Sequence, residues 1–244
     1  MEKPFFIVIL LMLGYISYKN ITILSRYKYN KKYIEAYQTV LKDNENAYKE
    51  ITNFVNSSKN LEYKSKGNIL KLYHELDKDL DYSSTLNSID YKQLFYKKDK
   101  YASSQLRLNS DSVVFTIMVM AKAHQKKKKD VISTIADKFN ELSGMENNVE
   151  YLEIDAVADS FLKRDDSGVS FFNMMLDGGY AGLKYEKNLI GLYKRIASSM
   201  LAYNKASMDE YFVLDLSKFC ETLIGKNFLK DLGIYKKYYK EDKE

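Results

Sequence analysis

Two histidines and one cysteine are the side chains in this chain best suited to proton transfer, metal ligation or nucleophilic attack. His74 stands beside Glu75, three residues before Asp77 and four before Lys78. A carboxylate at that spacing on a helix can tune an imidazole as a general base. The same spacing also describes an ordinary polar helix face, which is the expected reading. His124 closes an apolar run, where its cation would complement a helix C-terminus. The pair shows neither the order of a Ser–His–Asp triad nor a metal-binding spacing. Cys220, in "SKFCETLIG", is at helical distance from Phe212, Leu216 and Leu223, so it is expected in the core as a small apolar residue. A single cysteine excludes both an internal disulfide and a zinc site built on several thiolates.

Three further stretches hold ligand-type residues. "LDGGYAGLKYEKN", residues 176–188, carries Gly178, Gly179 and Gly182. Glycine turns before a helix can cradle phosphate, but this one follows no strand and lacks a Gly-Lys-Ser/Thr ending. It reads as a helix junction. "KRDDSG", residues 163–168, lacks the alternating oxygen ligands of a calcium loop. The lysines 126–129 read as a solvated helix end that can also meet an anionic lipid surface. No catalytic, cofactor-binding or metal residue is therefore assigned, and no cofactor is expected.

The charge points to a membrane. The chain has 244 residues and a net charge of +5. Residues 1–32 carry six basic groups (Lys3, Lys19, Arg26, Lys28, Lys31, Lys32) and one acid (Glu2), which is the whole excess. The body from 33 to 244 is neutral, with 32 basic and 32 acidic groups, so a nucleic-acid partner is not expected. The basic groups flank "PFFIVILLMLGYISYKNITIL", residues 4–24. Fourteen uncharged residues from Phe5 to Tyr18 rise about 21 Å as a helix, and extension to Leu24 reaches about 30 Å, the hydrocarbon thickness. Pro4 suits a first turn, and Tyr15 and Tyr18 suit the interfacial belt. Small residues are not paired before any plausible cleavage point, so an uncleaved anchor touching lipid through residues 4–24 is expected. The heavier basic flank follows the run, which favours a cytoplasmic body in a single-pass cell-membrane protein.

Pro4 is the only proline, strand-type alternation is scarce, and apolar residues three and four apart recur. The expected fold is all-α: residues 1–24 as anchor, 25–105 as an N-terminal helical region and 106–244 as a C-terminal one. Tyr33, Tyr37, Val40, Asn44, Ala47, Ile51 and Phe54 form a heptad seam that would serve a parallel homodimer. "KDNEN", residues 42–46, would instead turn the same residues into an antiparallel hairpin, with Asn44 or Asn46 as cap, and this is favoured. Helices follow over 61–78, 86–98, 113–124 (capped by Asp111), 131–142 (capped by Asp130), 147–163, 169–176, 184–203, 207–224 and 227–240. Eight of the ten glycines lie beyond residue 140, where they can end helices. "NAYKEITNFVNSSKNLEYKSKGNILKLY", residues 46–73, resembles tetratricopeptide repeats in helix length and in the placement of Ala, Tyr and Gly. The closing proline and small–large alternation of that family are absent. The resemblance implies an antiparallel α-solenoid that binds protein partners. The expected function is a membrane-anchored adaptor or scaffold for an unidentified protein partner. The alternatives are a surface-exposed adhesion protein with a short coiled-coil stalk, and an enzyme with an acidic site that spacing does not reveal.

Overall fold

The computed structural model describes Tyr15 and residues 28–29, 31–98, 106–108, 110–143, 152–163, 167–178 and 190–239. Helices dominate. In chain order they are α1 (31–41), α2 (Ala47–Ser57), α3 (Leu61–Asp77), α4 (Ser83–Asn87), α5 (Tyr91–Phe95), α6 (Ser110–Gln125) and α7 (Lys129–Ser143). Then come α8 (Leu152–Leu162), α9 (Ser167–Leu176), α10 (Ile190–Tyr203), α11 (Glu210–Cys220), α12 (Leu223–Asp231) and α13 (Tyr235–Tyr238). One short antiparallel ladder interrupts them, β1 (Tyr96–Lys98) against β2 (Leu106–Leu108), with Lys97 opposite Arg107. Among the described residues no helix is long and apolar enough to cross a membrane. The expected anchor, residues 4–24, lies outside the described residues except for Tyr15, which is helical and exposed.

Residues 42–46 form a turn, so the heptad seam is divided between two helices of one chain. Tyr33 on α1 packs on Phe54 of α2 with ring centroids 6.1 Å apart. Asn46 makes no side-chain cap; the Asn44 Oδ1 accepts from the Asn46 N–H at 2.9 Å within the turn. The α3 N-terminus is capped by Asn60, whose Oδ1 accepts from the Glu62 and Tyr63 N–H groups. Gly67 lies where α3 crosses α2. A Cβ there would sit 2.7 Å from Val55 Cγ2 and 2.9 Å from Phe54 Cδ1, so only glycine permits this approach.

α6 is apolar on every side because it is packed on every side. It meets α3, α5, α7, α8 and α12, and every residue from Ser112 to Ala123 is buried. A helix with no solvated face belongs in a core. Contacts of α6 with α3 and α5 carry one apolar core across the division expected near residue 105. The array also closes on itself. α12 packs against α6, and the Asn227 amide donates to the Leu41 carbonyl at 3.2 Å, 186 residues away in sequence. In an open solenoid each repeat touches only its neighbours, so this closure departs from the expected architecture.

Several boundaries differ from those expected. Residues 86–98 are divided among α4, α5 and β1 instead of forming one helix. Asp111 and Asp130 fall inside the first turns of α6 and α7 rather than before them. The 227–240 helix is broken at Gly233, and the preceding one stops at Cys220, after which Thr222 caps α12 by accepting from the Gly225 N–H at 3.0 Å.

Candidate functional site

The densest polar chemistry in the core is a cluster that links α3, α6 and α12. Tyr73 and Asp77 are one turn apart on α3; Lys122 lies in the last turn of α6 and Lys126 just after its end; Asp231 is the last residue of α12. The Lys122 Nζ lies 2.6 Å from Asp231 Oδ1 and 2.8 Å from Asp77 Oδ1, and donates to Gln125 Oε1 at 3.3 Å. An ammonium has three donors, and these three acceptors use them all. The Tyr73 hydroxyl donates to Asp231 Oδ2 at 2.9 Å, and its ring centroid is 5.2 Å from Nζ. Lys126 extends the cluster by donating to the Asp77 carbonyl at 2.8 Å and to Asp79 Oδ2 at 2.6 Å.

Electrostatics follow from burial. Burial pushes the Asp231 carboxyl up to about 6, against the pull of Lys122 and Tyr73. Burial opposes the Lys122 charge too, but Asp231 and Asp77 hold its pKa above the ordinary lysine value. Burial would raise Asp77, yet the Lys122 hydrogen bond and the ammoniums of Lys122, Lys78 and Lys126 bring it below the usual range. Tyr73 is raised well above an ordinary phenol, by burial and then by Asp231. A lysine held protonated and a tyrosine held neutral are neither nucleophile nor base. With every lysine donor spent, the cluster acts as a clasp between helices.

The residues singled out in the sequence are dispersed. His74 is not on a solvated face: it is 7% exposed and packs 5.8 Å from the Tyr48 ring. Burial, then Lys78, lower its pKa, with Asp77 and Asp43 opposing. His124 stacks on Phe161 at 4.6 Å, and its Nε2 shares a 2.8 Å hydrogen bond with the Tyr203 hydroxyl. The expectation of a helix-end cation fails here, because burial and the ammoniums of Lys163 and Lys129 lower its pKa. Tyr203 is itself raised by burial. His124 thus joins α6 to α8 and α10 as a neutral ring. Cys220 is 1% exposed, and burial pushes its thiol up, away from reactivity.

The lysine run is not a free basic patch. Lys126 is tied to α3, the Lys128 Nζ lies 5.6 Å from the Tyr82 ring centroid, and Lys127 holds a turn at φ 59°. Residues 164–166 and 179–188 of the two loop motifs lie outside the described residues. Among the described residues no group of three or more His, Cys, Asp or Glu could hold a metal ion.

Sequence reasoning missed the clasp, although it left a trace. Lys122 is the one charge within "VVFTIMVMAKAH", and a buried lysine requires a counter-charge. Which acids supply it depends on α12 returning to α6.

The second feature is on the surface. α11 buries Leu216, Phe219 and Cys220, yet its opposite side carries Tyr211, 79% exposed, and Leu214, 55% exposed, while Val213, 38% exposed, lies at the edge of the buried side seven residues before Cys220. Asp209 starts this helix, accepting from the Tyr211 N–H at 2.8 Å.

No protein-family model, no curated protein and no solved structure matches this chain.

Proposed function

We propose that the chain is a membrane-anchored helical protein whose body binds another protein, with α11 as the binding surface. The observation that carries this reading is the exposed turn Tyr211–Leu214. A helix at the edge of an array normally turns charged residues to water. This one exposes three apolar side chains in a single turn while its buried side is already satisfied. An aromatic and a branched aliphatic side by side on a rigid helix have the chemistry of an interface anchor. The saturated clasp removes the strongest candidate for catalysis.

The apolar run 4–24 and its basic flanks support the anchor. The heavier positive charge on the body side supports a cytoplasmic body. A photo-crosslinking residue placed at Tyr211, in the full chain in its own membrane, tests the binding reading. One discrete adduct that is lost when Leu214 becomes Asp is expected; the absence of any adduct would overturn it.

A further inference from the structure

We infer that the partner of α11 is a second copy of this chain, packed antiparallel to the first about a twofold axis beside Leu214. The inference deepens the binding reading above and rests on it. The argument is the charge pattern around the exposed apolar turn. Glu210 lies four residues before Leu214 and Lys218 four residues after it. Both are exposed, and neither has an ion-pair partner among the described residues. When two identical helices pair antiparallel about Leu214, residues equally distant from it on either side face one another. Glu210 then meets Lys218 of the partner subunit, and the symmetry repeats the pair. Parallel pairing would set Glu210 against its own copy and Lys218 against its own copy, and both contacts repel. The charges therefore select both the partner and its direction.

Shape agrees with charge. Tyr211, Leu214 and Lys218 recur at spacings of three and four, which is the seam period of two packed helices. The same symmetry sets the Tyr211 ring opposite Ser217, whose small hydroxyl is already turned back to the Val213 carbonyl at 3.3 Å. That pairing leaves room for the ring. A contact of one helix on one helix is small, so the dimer is expected to be weak and concentration-dependent. Confinement of both copies to one membrane would raise their effective concentration.

The test uses the full chain in density-matched detergent, with association measured by sedimentation equilibrium. The wild-type chain is expected to show a monomer–dimer equilibrium, and Leu214→Asp to remain monomeric. Lys218→Glu and Glu210→Lys should each weaken the dimer by about tenfold, since one substitution reverses two symmetric pairs. The double variant Glu210→Lys/Lys218→Glu restores opposite charges at both positions and should return affinity to within about threefold of wild type. All three substituted positions are exposed, and helical circular dichroism checks that each variant is folded. A wild-type chain that stays monomeric, or a dimer that the double exchange fails to restore, would overturn the inference. A monomeric chain that still gives the Tyr211 adduct with a different protein removes self-pairing and leaves the binding reading intact. Loss of both removes both.

Discussion

At the level of single residues, the clasp makes opposite demands on pH. Asp231 titrates near 6 in the fold and near 3.8 in the unfolded chain. Its contribution to stability is therefore fully present below 3.8 and is lost as pH rises through about 6. Asp77 is lowered, so its contribution is present above 3.8 and disappears as pH falls. Lys122 is raised, and its contribution persists until pH climbs past 10.5. Asp231→Asn removes the first and, with the lost ion pair, part of the Lys122 contribution, which changes only above pH 10.5. In urea titrations, the stability of that variant relative to wild type is expected to rise by about 2 kcal/mol between pH 4 and pH 7. A flat difference across that range would show that Asp231 does not titrate there. Lys122→Met leaves the buried Asp231 carboxylate without its counter-ion. We expect it to cost about 3 kcal/mol at pH 8 and clearly less at pH 5, where Asp231 takes up a proton. Equal costs at the two pH values would mean that the pair contributes through packing alone.

At the level of elements, the helices stop in an unusual way. α1, α3, α6, α10 and α12 end in the same double hydrogen bond, in which the residue two past the last turn reaches back five positions. Examples are Asn44 N–H to the Thr39 carbonyl at 3.1 Å, Lys128 to Ala123 at 2.8 Å and Ala206 to Leu201 at 3.0 Å. This ending requires a left-handed residue, usually glycine. Gly233 supplies it after α12, but Asp43, Asp79, Lys127 and Lys205 do so elsewhere, at φ between 53° and 59°. A side chain in that conformation carries steric strain. Lys205→Gly is accordingly expected to stabilise the chain by about 0.5–1 kcal/mol, measured by thermal or urea unfolding. A loss of stability would indicate that the Lys205 side chain has a contact that matters more than its backbone. The endings also explain why boundaries are hard to read from composition. Gly67, Gly168, Gly191 and Gly225 lie within helices, and most of the actual stops are written with Asp or Lys.

At the level of the whole molecule, the last helices hold the first ones. Tyr73 and Asp231 are 158 residues apart in sequence yet hydrogen-bonded, and Asn227 reaches Leu41. Leu41 is the last residue of α1, so α12 is fastened at the C-terminal end of that helix. Truncation before α12 should therefore loosen α1 and α3 as well as the C-terminus. Hydrogen exchange of a chain ending at residue 221 is expected to show lost protection in residues 31–41 and 66–77. Unchanged protection there would make α12 an appendage. For the membrane reading, the wild-type chain should resist alkaline carbonate extraction, and a chain starting at residue 28 should be released. Release of both would remove the anchor.

Sequence alone determined the class of fold and the position of its deepest helix. A chain with one proline and recurrent three–four spacing satisfies most of its backbone within helices, and a nearly all-apolar segment such as 113–121 has to be surrounded. These are local constraints, each expressed within about 20 residues. It also placed Cys220 in the core by the same periodicity. The tertiary structure decided what each polar side chain does. Lys122, Asp77 and Asp231 have no sequence spacing that joins them, and His74 and His124 are silenced by neighbours on other helices. Burial and ion pairing depend on which elements meet, and elements meet through contacts that span the whole chain. The exposed side of α11 belongs to the same category. Only the packing of its opposite side on α10, α12 and α13 leaves Tyr211 and Leu214 facing water.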